Sequence, residues 1–257
     1  MSPLILALAS VFILSSVSCV NHHLHIAGGK DAKIEDYPYQ ISLRDLRSPY
    51  LHICGGALYR TNVVITAAHC VYGRQETYLQ VQGGTADRML GGVISSVQKV
   101  LIHPQFDYDR RFNDVALVYL TNAFLPNGNQ IATIEIANSS EMANTTMAIV
   151  SGWGKEGSNT QFSQTLKYLN VNIMQNRDCN EVLGGITDKM VCAVQSAPSG
   201  TCTGDSGDPL VIEVNAGKAT KKKLIGTVSF ISSGECAFGQ PTAYMRMESY
   251  KSWIDTN

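Results

Sequence analysis

The chain has 257 residues, 44% of them hydrophobic and 16% charged, and its 20 basic and 21 acidic side chains leave a net charge of -1. That balance excludes a disordered chain, which needs low hydrophobicity and high charge, and excludes the basic footprint of a nucleic-acid binder. The length suits one large β domain or two small ones, either able to bury a substantial core. Seven cysteines cannot all pair within one chain, so one is expected outside the mature domain or to be reactive.

In chain order, the apolar run 4–17 with the small residues Ser16, Ser18 and Cys19 reads as a secretory signal peptide over 1–19. It is shorter than the ~20 residues of a spanning helix, and Asn21-His22-His23 ends it. Its removal would take Cys19 and leave six cysteines, an even number for an oxidising, extracellular compartment. No other window approaches a membrane span. Residues 1–25 hold three of the six histidines, which leaves His52, His69 and His103 for the folded domain.

From residue 26 on, short apolar runs alternate with Gly, Pro, Asn and Asp: 40–43, 57–66, 78–82, 93–102, 116–120, 147–151, 166–173, 209–214, 224–230 and 242–246. The spacing predicts an all-β sandwich or barrel architecture, with a short helix over 248–256 that packs Trp253 inward. Neither repeat nor linker divides the chain. The basic run Lys221–Lys223 reads as a solvated hairpin tip. Asn138-Ser139-Ser140 and Asn144-Thr145-Thr146 are glycosylation sequons suited to a secreted surface loop. His52 and His103 have no neighbours at metal-ligand spacing, and 83–92 offers a hard cation only Asp87, so neither a metal nor a cofactor is expected.

Three local signals carry chemistry together. Thr66-Ala67-Ala68-His69-Cys70 ends an apolar strand, Asp114 opens another after Asn113, and Gly204-Asp205-Ser206-Gly207 forms a glycine-rich loop. Each alone is weak. Together they supply a base, an orienting carboxylate and a hydroxyl nucleophile in the chain order His, Asp, Ser.

With these motifs, and with Ile26-Ala27-Gly28-Gly29, Cys54-Gly55-Gly56, Ser151-Gly152-Trp153-Gly154 and Val228-Ser229-Phe230, the chain resembles the trypsin/chymotrypsin-family (S1) serine peptidases from residue 26 to its end. The look is that of arthropod gut proteases, including the mite trypsin-like allergens and their inactivated paralogues. The resemblance implies two six-stranded antiparallel β-barrels with the active site between them, and an activation peptide over 20–25 preceding the peptidase domain 26–257. It makes Ser206 the nucleophile, His69 the base, Asp114 its orienting group with Ser229 bonded to it, and the N–H groups of Gly204 and Ser206 the oxyanion hole. A cut before Ile26 would free an α-amine to pair with Asp205. It also implies the disulfides Cys54–Cys70, Cys179–Cys192 and Cys202–Cys236; counting alone leaves 15 connectivities open. Protein or peptide substrates and protein inhibitors are the implied partners, and a monomer is expected.

Several positions depart from the family. Gly200 stands where trypsin-like members carry an Asp at the pocket floor, and Ile231 and Thr242 replace glycines, an elastase-like narrowing of a pocket that Thr201, Ser229 and Phe230 complete. Small apolar P1 residues are therefore expected rather than Lys or Arg. His25 precedes Ile26 where relatives have Arg or Lys. Asp208 replaces a glycine two residues from the nucleophile: as an anion it would act on His69 by ~2 kcal/mol at ~8 Å, and as a solvated side chain it would do little. The leading reading is a secreted serine endopeptidase made as a zymogen. The alternative, kept alive by Asp208, Ile231 and His25, is a catalytically weak or inactive homologue that acts by binding or inhibition.

Overall fold

The computed structural model describes residues 28–49, 51–157, 160–217, 219–232, 236 and 239–257. The expected signal and activation peptides, Cys19 and Ile26 lie outside the described residues. The strands are β1 (Lys30–Asp31), β2 (Gln40–Asp45), β3 (His52–Arg60), β4 (Val63–Thr66), β5 (Leu79–Gly83), β6 (Val93–Ile102), β7 (Ala116–Leu120), β8 (Met147–Gly152), β9 (Lys167–Met174), β10 (Met190–Val194), β11 (Pro209–Ala216), β12 (Ala219–Ile231) and β13 (Thr242–Arg246). Three short helices join them: α1 (Ser139–Met142), α2 (Asn176–Leu183) and α3 (Lys251–Thr256).

The strand order β2-β3-β4-β7-β6-β5 closes one antiparallel barrel. The order β8-β9-β10-β13-β12-β11 closes the second, with β1 added against β9. The two expected six-stranded barrels and the C-terminal helix are thus present.

Side-chain alternation explains why several strands read as unbroken apolar runs. In β4, Val64 points into the first barrel with Leu58, Val81 and Val118, while Val63 and Ile65 point the other way. That second face joins a cluster between the barrels, with Tyr37, Tyr39, Trp153, Leu166, Met245 and Ile254. The second barrel is filled by Val150, Val171, Leu210, Ile212, Ile225 and Tyr244.

The sequence-based expectations differ from the fold in several places. The run 57–66 is two strands, reversed at Thr61 and Asn62, because two polar residues suffice for a tight turn between apolar neighbours. α2 and β10 went unpredicted; α2 buries only Cys179, and the disulfide to Cys192 on β10 holds it. Lys221–Lys223 lies within β12 rather than at a hairpin tip, with Lys222 3.6 Å from Glu213 and Lys223 2.7 Å from Glu141. Trp253 is half-buried, and the inward anchor of α3 is Ile254.

Each barrel is gripped by the other's terminal segment. β1 precedes the first barrel yet pairs with β9 of the second, where Lys167 meets Asp31. α3 follows the second barrel yet returns to the first: Arg60 Nη2 donates to the Asp255 carbonyl at 3.1 Å, Tyr119 Oη to the Asn257 carbonyl at 2.7 Å, and Tyr59 Oη to the Asp255 carboxylate.

His52 is a structural histidine at the barrel seam, 1% exposed. Its Nε2 lies 3.0 Å from the Gly204 carbonyl, which can only accept, so Nε2 carries the hydrogen and Nδ1 accepts from Ser42 Oγ at 2.8 Å. Burial pushes the imidazolium down to about 3. The unfolded chain therefore binds a proton that the fold refuses, and stability falls as pH drops from about 6.5 towards 3, by roughly 1.4 kcal/mol per pH unit. Urea denaturation between pH 7 and pH 4 is expected to show a shallower loss for His52→Gln than for the parent; parallel curves would remove His52 from the acid response.

Candidate active site

His69 sits in a single 3-10 turn, Ala68–Cys70, directly after β4, with its flanking residues Ala68 and Cys70 buried. The Cys54–Cys70 disulfide ties that turn to β3. Asp114 enters on the tight approach to β7. Asn113 before it has φ +51°, a left-handed conformation that asparagine tolerates, and its side chain is fixed by a bond from Nδ2 to the Gln105 carbonyl at 2.8 Å.

The Asp114 carboxylate is 0% exposed and takes three hydrogen bonds. The His69 backbone N–H donates to Oδ1 at 2.8 Å, His69 Nδ1 to Oδ2 at 2.7 Å, and Ser229 Oγ to Oδ2 at 2.5 Å. Ser229 reaches it from the second barrel because the β12–β13 register shifts between Val228 and Phe230, a bulge that re-aims the residue between them. An imidazole whose Nδ1–H is committed to Asp114 leaves Nε2 as the basic nitrogen.

Ser206 lies in the loop 202–208, partly exposed beside His69 in the same cavity of about 400 Å³. Among the described residues no hydrogen bond joins Ser206 Oγ to His69, and the backbone N–H groups of Gly204 and Ser206 find no protein acceptor. The loop is held by its carbonyls and flanking amides: Gly55 N–H donates to the Ser206 carbonyl at 2.9 Å, and Gly207 N–H to the Val228 carbonyl at 2.8 Å. Gly204 has φ +98°, and a Cβ there would fall 2.5 Å from the Phe162 ring. Only glycine meets both demands.

Thr201, Ser229, Phe230 and Ile231 line the cavity, and among the described lining residues there is no carboxylate. Thr242 is buried behind that wall, its Oγ1 2.8 Å from Thr201 Oγ1, and it shapes the pocket through Thr201. Gly200 is buried beside Thr201 without lining the cavity. Ile53, Arg74 and Tyr108 also line it, and no motif in the sequence marks them. Ile53 is the extra residue of a bulge between β2 and β3, and Arg74 is anchored to the buried Asp45 at 2.6 Å. Cys54, His69 and Cys70 cluster closely enough to suggest a metal, but both sulfurs are in one disulfide and are not thiolates.

Asp205 and Asp208 are both fully buried. Asp205 accepts from Gly154 N–H and Cys202 N–H, each at 2.8 Å; burial pushes its carboxyl up while those two donors pull it back. Of the two readings of Asp208, an anion acting on His69 and a solvated side chain of little effect, complete burial overturns the second. Burial and then the neighbouring Asp205 push the Asp208 carboxyl well above the usual carboxylate range. The pairs Cys54–Cys70, Cys179–Cys192 and Cys202–Cys236 all form, the last fastening the loop 202–208 to the segment that follows β12.

Among the described residues no helix is long and apolar enough to cross a membrane. The family model "Trypsin" matches residues 26–254. Trypsin delta of Drosophila melanogaster is 36% identical over 239 residues, covering 90% of this chain and 88% of that relative. Trypsin alpha of Drosophila erecta is 35% identical, covering 89% and 86%. Trypsin alpha of Drosophila melanogaster is 33% identical over the same shares. With two closed barrels, a buried carboxylate on His69 and a partly exposed serine at their seam, and a match that spans nearly the whole domain, this chain belongs to the trypsin (S1) family of serine proteases.

Proposed function

We propose that the protein is a secreted endopeptidase, made as a zymogen, that hydrolyses peptide bonds through Ser206, His69 and Asp114. The observation that carries this reading is the polarised pair at the seam: Asp114, without solvent, fixes the tautomer of a histidine that lines the cavity holding Ser206. Ser206 Oγ attacks the scissile carbonyl carbon while His69 Nε2 takes its proton. The oxyanion accepts from the unengaged N–H groups of Gly204 and Ser206, worth on the order of 3 kcal/mol per donor. His69 then gives the proton to the leaving amine, and water repeats the sequence on the acyl-enzyme.

Removal of 1–19 and a cut between His25 and Ile26 would expose the α-amine that pairs with Asp205. His25 makes a protease other than trypsin the activator. Asn138 and Asn144 are exposed at either side of α1, in the segment that joins the barrels, and both suit glycan attachment. Protein substrates and protein inhibitors share the same cleft, and the working unit is a monomer. The second reading, a binding homologue of low activity, draws on the absence among the described residues of a Ser206–His69 hydrogen bond, although such bonds often tighten only with substrate bound.

Two measurements decide. After the cut before Ile26, a fluorophosphonate probe should label Ser206, and labelling should slow by roughly 10²- to 10⁴-fold in His69→Ala; an unlabelled parent would favour the binding homologue. In a peptide scan, Ala or Val at P1 should exceed Lys or Arg by about tenfold or more in kcat/KM, since among the described lining residues there is no carboxylate to meet a cation and Ile231 adds apolar bulk to the wall. Efficient cleavage after Arg would overturn the pocket assignment.

A further inference from the structure

Asp208 lies at the end of a buried polar chain that crosses the seam. Ser151 Oγ on β8 donates to Gln40 Oε1 at 2.7 Å, which turns the Gln40 amide so that Nε2 on β2 donates to Asp208 Oδ1 at 2.5 Å. All three side chains are fully or almost fully buried. Asp208 Oδ2 receives no N–H or hydroxyl hydrogen; it faces Asp205 instead. A Cβ on Gly152 would fall 1.8 Å from Asp208 Oδ2 and 2.6 Å from Asp205 Oδ1, so the two carboxyls meet over a stretch of backbone with no room for a side chain. Two bare carboxylates cannot share a dry niche, and one proton must lie between them.

The surrounding donors decide which group holds it. Asp205 accepts two backbone N–H bonds, which favour its anion. Asp208 accepts one amide hydrogen, on the oxygen remote from Asp205. The titratable groups that face the pair are Tyr244 on β13, whose phenol burial keeps neutral, and, beyond the Gly204 carbonyl, the neutral His52 on β3. Strands β2 and β8 present the uncharged Gln40, Ser151 and Gly152 to the pair, and β3 adds Gly55.

We propose that Asp208 is a positioning residue that stays protonated at neutral pH and donates from Oδ2 to the Asp205 carboxylate, giving the oxyanion loop a third internal brace. Asp205, Ser206 and Gly204 share one loop, so the bond that fixes Asp205 also fixes the direction of the two N–H groups beside it. The brace comes from within the domain, not from the amine at Ile26, and both act on the same carboxylate. The kinetic consequence rests on the enzymatic reading above; the proton on Asp208 does not.

The test uses the cut protein and the variants Asp208→Asn and Asp208→Leu. Asn copies the protonated acid, accepting from Gln40 and donating to Asp205, whereas Leu keeps the bulk and loses the donor. Asn should hold kcat within about threefold of the parent, and Leu should lose roughly 10- to 100-fold with KM within about twofold. The parent should lose labelling at alkaline pH as Asp208 ionises, and Asn should keep it to higher pH. Infrared spectroscopy at pH 7 should show the carbonyl stretch of one protonated carboxyl in the parent and not in Asn. A band that survives in Asn, or Leu equal to the parent, or Asn as impaired as Leu, would overturn the proposal. If Leu does not fold, the infrared band and the Asn pH profile decide. If the parent itself is unlabelled, the enzymatic reading fails, and the band alone settles the proton.

Discussion

A carboxylate removed from water must find donors, and Asp114 finds them on both barrels. His69 supplies two from the first barrel and Ser229 supplies one from the second. The first barrel alone would leave this carboxylate one donor short and open to water on the face that Ser229 covers, and burial of an ion without its full set of partners is costly. The docking of the barrels and the ordering of His69 are therefore one event. The apolar cluster between the barrels provides the surface that makes docking favourable, and the hydrogen bonds to Asp114 fix which docked arrangement is kept.

The same seam collects further buried polar groups. His52 holds the Gly204 carbonyl, Gln40 reaches Asp208, and Gly154 and Cys202 hold Asp205. Each bond fastens the loop 202–208 by an atom other than the N–H groups of Gly204 and Ser206. Among the described residues those two donors find no protein acceptor, which is the condition under which the proposed oxyanion hole would be electrostatically preorganised.

His69, Asp114 and Ser206 stand out in the sequence as candidates because chemistry restricts their residue types and because each stands next to an apolar run or a glycine-rich turn that marks a strand end. Barrel strands such as β4 and β7 were legible from their apolar runs. Legibility failed where position depends on tertiary geometry. Ile53 enters the cleft through a bulge, and Arg74 through an ion pair with Asp45. The fate of Asp208 was hidden most deeply. A charged residue in a glycine-rich loop reads as solvated, and its partner Gln40 is 168 positions away in the chain. The three disulfides were readable only through family resemblance, since spacing leaves every pairing open.

The crossed ends of the chain carry a consequence of their own. Because β1 binds the second barrel and α3 binds the first, a break anywhere in the 121–146 connection would yield two fragments that each still carry the other's clasp. The halves would stay together as a non-covalent pair, and the cleft between them would survive the loss of its only covalent hinge. The covalent path between the barrels thus serves to raise their local concentration during folding more than to bind them afterwards.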